Sequence, residues 1–190
     1  MGAAESQSFV RKGRVADAGD LARIQVARWR EDYAGLVPAD VLGELTSGEA
    51  EARWREHWAQ SLKQPPTSRH RVLVAGARRT GTGRVVAGFA AFGPATDADR
   101  WPATDAELYE LCVEPRQRKH GHGSRLLNAA AETLAEDGFG TVSAWVLEGD
   151  SGAQEFLRSA GWATDGARGE LDMGTAVPLI RMHVRVEAAE

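Results

Sequence analysis

The chain is short of the residues that build covalent or metal-bound scaffolds. Its 190 residues include one cysteine, Cys112, which excludes an internal disulfide and a cysteine-based zinc site. No run of about 18 apolar residues exists, so no membrane span is expected. Lysine is scarce: Lys12, Lys63 and Lys119 leave 20 arginines among the 23 basic residues, a bias expected of a GC-rich bacterial genome and silent about chemistry. Tyrosine occurs twice, as Tyr33 and Tyr109. A net charge of −4 argues against a general nucleic-acid binder. The N-terminal stretch lacks the basic start and apolar core of a secretion signal. With a single thiol, the expected setting is the reducing cytoplasm.

What remains is an ordinary globular composition, 43% apolar and 26% charged, enough for one domain. No internal repeat of about 20–50 residues appears. Residues 1–8 are expected to form a disordered tail, and residues 9–187 a single α/β domain.

The apolar pattern predicts a strand at 9–15, then a helix carrying Leu21, Ile24, Trp29 and Tyr33, broken by Gly35 and Pro38. A short helix is expected at 39–45 and another at 49–62, with Trp54, Trp58 and Leu62 along one face. Strands at 71–77 and 85–92 flank Thr80-Gly81-Thr82-Gly83, a hairpin signal. A polar loop at 95–104 carries Trp101. Then follow a strand at 106–113, a helix at 122–137, a strand at 141–147, a helix capped by Asp150 or Ser151 and ending at Gly161, and two short strands near 169–173 and 179–186. Strand–helix–strand at 106–147 is a parallel crossover, whereas the hairpin is antiparallel. The sheet is therefore mixed, with about six or seven strands and helices on both faces.

The most informative stretch runs from Leu111 through Glu114-Pro115-Arg116-Gln117-Arg118-Lys119-His120-Gly121-His122-Gly123-Ser124-Arg125 to Leu127. A strand enters a basic loop that passes directly into a helix. The free N–H groups of the first helical turn and the helix dipole attract an anion such as a pyrophosphate. The glycines allow close backbone approach, and Arg116, Arg118, Lys119 and Arg125 add positive charge. The run matches neither G-x-x-x-x-G-K-[ST] nor G-x-G-x-x-G.

At these residues the sequence resembles the GNAT superfamily of N-acetyltransferases. Their signature R/Q-x-x-G-x-G/A reads here Arg118-Lys119-His120-Gly121-His122-Gly123. Residues 106–113 stand where that superfamily has its central strand. Val142–Leu147 with Asp150 and Phe156 resembles the following strand and helix, and Gly161-Trp162 its Gly-aromatic end. Trp29-Arg30 and Tyr33–Pro38 look like the first helices of a bacterial subgroup. The resemblance covers about 170 residues, judged by pattern.

It implies acetyl-CoA or another acyl-CoA as donor and a primary amine of a small molecule or peptide as acceptor, with no metal and no covalent enzyme intermediate. By resemblance, the backbone of Leu111, Cys112 and Val113 would hold the thioester arm beside a bulge that splays two parallel strands. Arg118, Lys119, His120, Gly121, His122, Gly123 and Ser124 would hold the phosphates, with Asp150 and Phe156 nearby. Aligned on Val113 and Gly121, Glu107 falls on a catalytic glutamate of the histone-acetyltransferase branch, and Glu110 is the second choice for the base. Simple strand alternation puts Glu107 and Tyr109 on one face and Glu110 on the other until a bulge intervenes. Trp29, Tyr33, Trp101 and Tyr109 border the acceptor groove implied by the resemblance; packing competes as an explanation for each, least well for Trp101. The sequence departs from the family where a proton-donating tyrosine follows Phe156, because Leu157 stands there, and where an asparagine opens that helix, because Asp150 stands there. Leu157 keeps open a second function: a catalytically weak acyl-CoA-binding sensor or partner module. Homodimers are common in the superfamily, although no residue pattern here specifies one. Neither nucleic acid nor membrane is an expected partner.

Overall fold

The computed structural model describes residues 7–79 and 83–186. The chain runs β1 (Gln7–Lys12), α1 (Ala18–Asp32), α2 (Ala39–Leu45), α3 (Gly48–Lys63), β2 (Arg71–Arg79), β3 (Gly83–Pro94), β4 (Asp105–Val113), α4 (His122–Glu136), β5 (Thr141–Leu147), α5 (Ser151–Ser159), β6 (Ala163–Asp172) and β7 (Ala176–Arg185). The seven strands form one sheet in the order β1-β2-β3-β4-β5-β7-β6. Only β4 and β5 pair in parallel, joined by α4; the other pairs are antiparallel.

Strand alternation sorts the side chains into two cores. Leu73, Ala90, Phe92, Ala106, Leu108, Val142, Ala144 and Met182 face Leu126, Ala130 and Leu134 of α4 and Leu157 of α5. Val74, Val86, Phe89 and Cys112 face Leu21 and Ile24 of α1 and Trp58 of α3. The Trp54–Trp58–Leu62 stripe does face inward, with Trp58 buried and the other two packed on the core edge. A third cluster joins Val37 and Leu42 to Leu147 and Val177, with Trp29, Tyr33 and Leu36 packed on it. It closes the segment after α1 against the end of β5 and the β6–β7 hairpin.

Several boundaries differ from the sequence pattern, among them the end of the first strand, which stops at Lys12 rather than residue 15. Strand β1 takes in Gln7 and Ser8, assigned above to the tail, because both pair with β2. The last two strands are ten residues each rather than short. β6 begins just after Gly161, which is left-handed at φ 86°, and lies at the sheet edge with mostly exposed side chains. An edge strand needs no apolar alternation, so its sequence is nearly silent. The hairpin residues Thr80–Thr82 lie outside the described residues, as does residue 187; β2 and β3 pair as that hairpin requires.

Candidate active site

Strand β4 pairs with β5 over three positions, Asp105↔Thr141, Ala106↔Val142 and Glu107↔Ser143. Beyond Glu107 the two strands separate. From there β4 keeps its bonds to β3, β5 keeps its bonds to β7, and the facing edges are left open. The register between β3 and β4 shifts: Ala91 pairs with Glu110 and Phe92 with Leu108, so Tyr109 is the extra residue of a bulge. This overturns the simple alternation. Glu107 opposes Gly93 and Glu110 opposes Ala91, two residues apart on β3, so both glutamates share the face covered by α1.

After β4 the chain makes a short 3-10 turn, Pro115–Gln117, and reaches α4. Lys119 and Gly121 are both left-handed, at φ 62° and 76°. Among the described residues, no backbone N–H from Lys119 to Ser124 has a hydrogen-bond partner. That row of free donors opens a fifteen-residue helix, an arrangement suited to an anion. The Arg125 guanidinium folds back over Gly121, where a Cβ would lie 3.3 Å from its Nη2. A Cβ on Gly123 would sit 3.0 Å from Cζ of Phe156, so this glycine lets α4 and α5 close together.

The sequence set the two loop histidines side by side, and the structure separates them. His120 is exposed, with Nδ1 2.8 Å from the Arg118 carbonyl. His122 is 4% exposed, and its Nδ1 lacks a partner among the described residues. Burial, then Arg125 and His120, push its pKa down. Arg118 reaches α1 instead of standing free, with Asp32 at 2.8 Å and Glu31 at 3.2 Å.

Sequence reasoning missed Arg28. This α1 arginine lies 3.3 Å from Asp150, just beyond the end of β5, and 3.9 Å from Glu110 on β4. It thus spans the separated strands. It also contacts Asp32 at 3.2 Å and donates to the Tyr33 hydroxyl at 3.1 Å. Burial pulls its pKa down, but the nearby acidic side chains Glu110 and Asp32 outweigh that and raise it. An arginine on the inner face of an amphipathic helix was the available signal. Asp150 is therefore neutralised by Arg28, while its other oxygen caps α5 by accepting from the Ala153 N–H at 2.9 Å.

The two glutamates differ in setting. Glu110 is part-buried; it accepts from Gln25 Nε2 at 3.3 Å and from the Cys112 thiol at 3.4 Å. Burial raises its pKa, against the opposing pull of Arg28, Cys112 and Gln25. The Cys112 thiol is fully buried and pushed well up by burial and by Glu110, which leaves it a protonated, inert group. Glu107 is the more open: Thr96 donates to its Oε2 from both backbone N–H and hydroxyl, and its Oε1 has no partner among the described residues.

Of the aromatic candidates, Trp29 stacks on Tyr33 at 6.1 Å, and both pack on the third core cluster. Tyr109 stacks on His70, and its hydroxyl donates to the Pro94 carbonyl; burial and then Glu107 push its pKa up to about 12. Trp101 is 76% exposed on a turn pinned by Asp105, which accepts from the Trp101 N–H at 2.9 Å. Leu157 is 4% exposed, within the apolar core.

Both the sequence and the fold of this chain have matches among known proteins. The profile of the Acetyltransferase (GNAT) family matches residues 39–162. The uncharacterized N-acetyltransferase YuaI of Bacillus subtilis (strain 168) is 32% identical over 139 residues, 73% of this chain and 71% of that protein. Two solved structures share the fold at a TM-score of 0.66. One is PaiA N-acetyltransferase from Thermoplasma acidophilum in complex with coenzyme A, 17% identical, covering 94% of this chain and 99% of its own. The other is yncA from Salmonella typhimurium with acetyl-CoA, 19% identical, covering 97% of each. Profile, relative and fold agree with the Arg118–Gly123 motif in its structural place: this chain belongs to the GNAT acetyltransferase family.

Proposed function

We propose that the protein transfers an acetyl group, or another acyl group, from its CoA ester to a primary amine of a small molecule or peptide. The observation that carries this reading is the unbroken row of free N–H groups from Lys119 to Ser124 at the head of α4, next to the cleft where β4 leaves β5. A doubly charged pyrophosphate suits those donors. The open edge of β4 at Leu111–Val113 offers backbone groups to an extended arm. Relatives of the same fold hold coenzyme A and acetyl-CoA.

In direct transfer the amine nitrogen bonds to the thioester carbon, the C–S bond breaks, and the nitrogen loses a proton. Glu107 takes that proton, directly or through one water; its Oε1 has no partner among the described residues, and its Oε2 accepts from Thr96. Glu110 is the second candidate on the same face. Trp101 and Tyr33 border the acceptor. Acidic side chains along this face favour a cationic amine.

The buried Leu157 supports a second reading, a module that binds acyl-CoA and turns it over poorly. One experiment separates the two. The protein is incubated with acetyl-CoA and a panel of amines and peptides, and free CoA thiol is measured. Amine-dependent thiol release establishes the transferase. Tight CoA binding with no release from any amine establishes the binding module.

A further inference from the structure

Glu107 stands where the β4–β5 pairing ends, and among the described residues every hydrogen bond it accepts comes from Thr96. The hydroxyl lies 2.7 Å from Oε2 and the backbone N–H 3.2 Å from the same atom. Two donors on one oxygen fix the carboxylate plane. The other oxygen remains to accept a proton.

Thr96 is itself unusually well anchored for a loop residue. Its neighbour Ala95 donates to the Asp105 carbonyl at 2.9 Å. Its other neighbour, Asp97, accepts from the Trp145 indole at 3.0 Å and from Arg181 at 2.9 Å. Arg181 on β7 also binds Asp99 through two bonds of 2.7 and 2.6 Å and Asp165 at 2.7 Å. Arg100 pairs with the same Asp165. The Arg181 side chain is 6% exposed, so its charge requires these partners. The segment between β3 and β4 is thereby tied to β5, β6 and β7, on the far side of the cleft, and Thr96 lies between its fixed points.

We infer that Thr96 is the positioning residue for Glu107: its hydroxyl and amide hold the carboxylate at the mouth of the cleft with one oxygen free. This rests on the reading above that Glu107 takes the amine's proton. An ordinary turn-stabilising threonine would affect stability alone. A positioning threonine must also affect the proton affinity of Glu107 and the rate of the step that uses it.

The test compares Thr96→Val, which keeps shape and backbone N–H but loses the hydroxyl, with Thr96→Ser, which keeps the hydroxyl. Two readouts are taken: steady-state kinetics with acetyl-CoA over a pH series, and NMR titration of the Glu107 side-chain carboxyl carbon, which needs no turnover. Thr96→Val is expected to lower kcat by about 10-fold or more, the scale of a lost hydrogen bond to a charged group. KM for acetyl-CoA should stay within about two-fold, since uniform binding is untouched. The Glu107 titration and the acid limb of the rate profile should both move to higher pH. Thr96→Ser is expected to restore all three. The inference is overturned if Thr96→Val leaves the Glu107 titration in place, or if Thr96→Ser behaves like Thr96→Val. A shifted titration with unchanged kcat, alongside a silent Glu107→Gln, overturns Glu107 as the base while the Thr96 contact stands. An unshifted titration with an inactive Glu107→Gln overturns Thr96 alone.

Discussion

Arg28 and Arg118 meet on one atom, Oδ2 of Asp32, which lies 3.2 Å from Nε of the first and 2.8 Å from Nη2 of the second. Arg118 belongs to the proposed phosphate loop, and Arg28 spans the cleft to Glu110 and Asp150. One carboxylate thus joins the loop to the floor of the proposed acyl-transfer site. A phosphate bound at the proposed loop would compete with Asp32 for Arg118.

Asp32→Asn is therefore expected to tighten CoA binding by up to about five-fold, the value of a partly exposed ion pair. Arg118→Ala should raise KM for acyl-CoA and leave kcat within a few-fold, because phosphate charge is the same in ground and transition states. Calorimetry on Asp32→Asn checks the first; weaker binding contradicts the competition. A large kcat loss at unchanged KM contradicts the second.

Gly121→Asp should weaken CoA binding by about 1–3 kcal/mol, through repulsion at the helix N-terminus and loss of donors. Gly121 is left-handed at φ 76°, a conformation asparagine tolerates as well as aspartate does. Gly121→Asn is consequently the control for backbone strain. It should bind CoA distinctly better than the aspartate variant; equal losses in both would assign the effect to the backbone.

Glu107→Gln should reduce kcat by about 10²–10⁴ with CoA binding near normal, and the loss should shrink at high pH as more amine arrives neutral. Because the bulge at Tyr109 puts Glu110 on the same face, Glu110→Gln is the natural comparison. An inactive Glu110→Gln beside an active Glu107→Gln would transfer the role to Glu110.

Glu110 also makes a stability prediction. Its folded pKa is raised, chiefly by burial. Such a group favours the fold below its unfolded value of about 4.3, and that contribution is lost as pH rises through the folded value. Glu110→Gln keeps an acceptor for Gln25 and loses the buried charge. Its melting temperature relative to the parent should climb as pH increases from the ordinary carboxylate range to neutrality. A relative melting temperature that falls over that interval would mean the attraction to Arg28 outweighs burial.

Arg181 is held by Asp97, Asp99 and Asp165. Its hydrogen bonds, foremost among the causes, pull the Asp99 pKa down to about 2. Arg181→Leu leaves Asp165 to Arg100 and Asp97 to the Trp145 indole, and should cost about 1–3 kcal/mol in denaturant unfolding, the scale of hydrogen bonds lost to charged groups. A loss below about 1 kcal/mol would show that solvent reaches the aspartates freely.

The order of elements, the parallel crossover and the glycine-bearing loop that opens α4 were legible in the sequence because each depends on near neighbours. Leu126, Ala130 and Leu134 repeat at helical spacing, Gly121 and Gly123 stand at fixed offsets from Arg118, and the apolar run from Val85 to Phe92, ended by Gly93-Pro94, writes out a strand. These signals come from local geometry and need no knowledge of the fold. Long-range pairing decided the rest. The bulge at Tyr109 exists only because β3 and β4 pair out of step, and it alone brings Glu107 and Glu110 to one face. The partners of Arg118, Arg28 and Asp150 come from segments 86 and 122 residues apart in sequence, so their charges read from sequence as unpaired. Glu107 was visible as an acid on a central strand, whereas its hold by Thr96, and the hold of Thr96 by Arg181 through Asp97, depend on β7 folding back beside β5. Spacing along the chain determines what a helix or strand can present; which charges neutralise one another, and which remain free to act, is set by contacts that form only when distant segments pack.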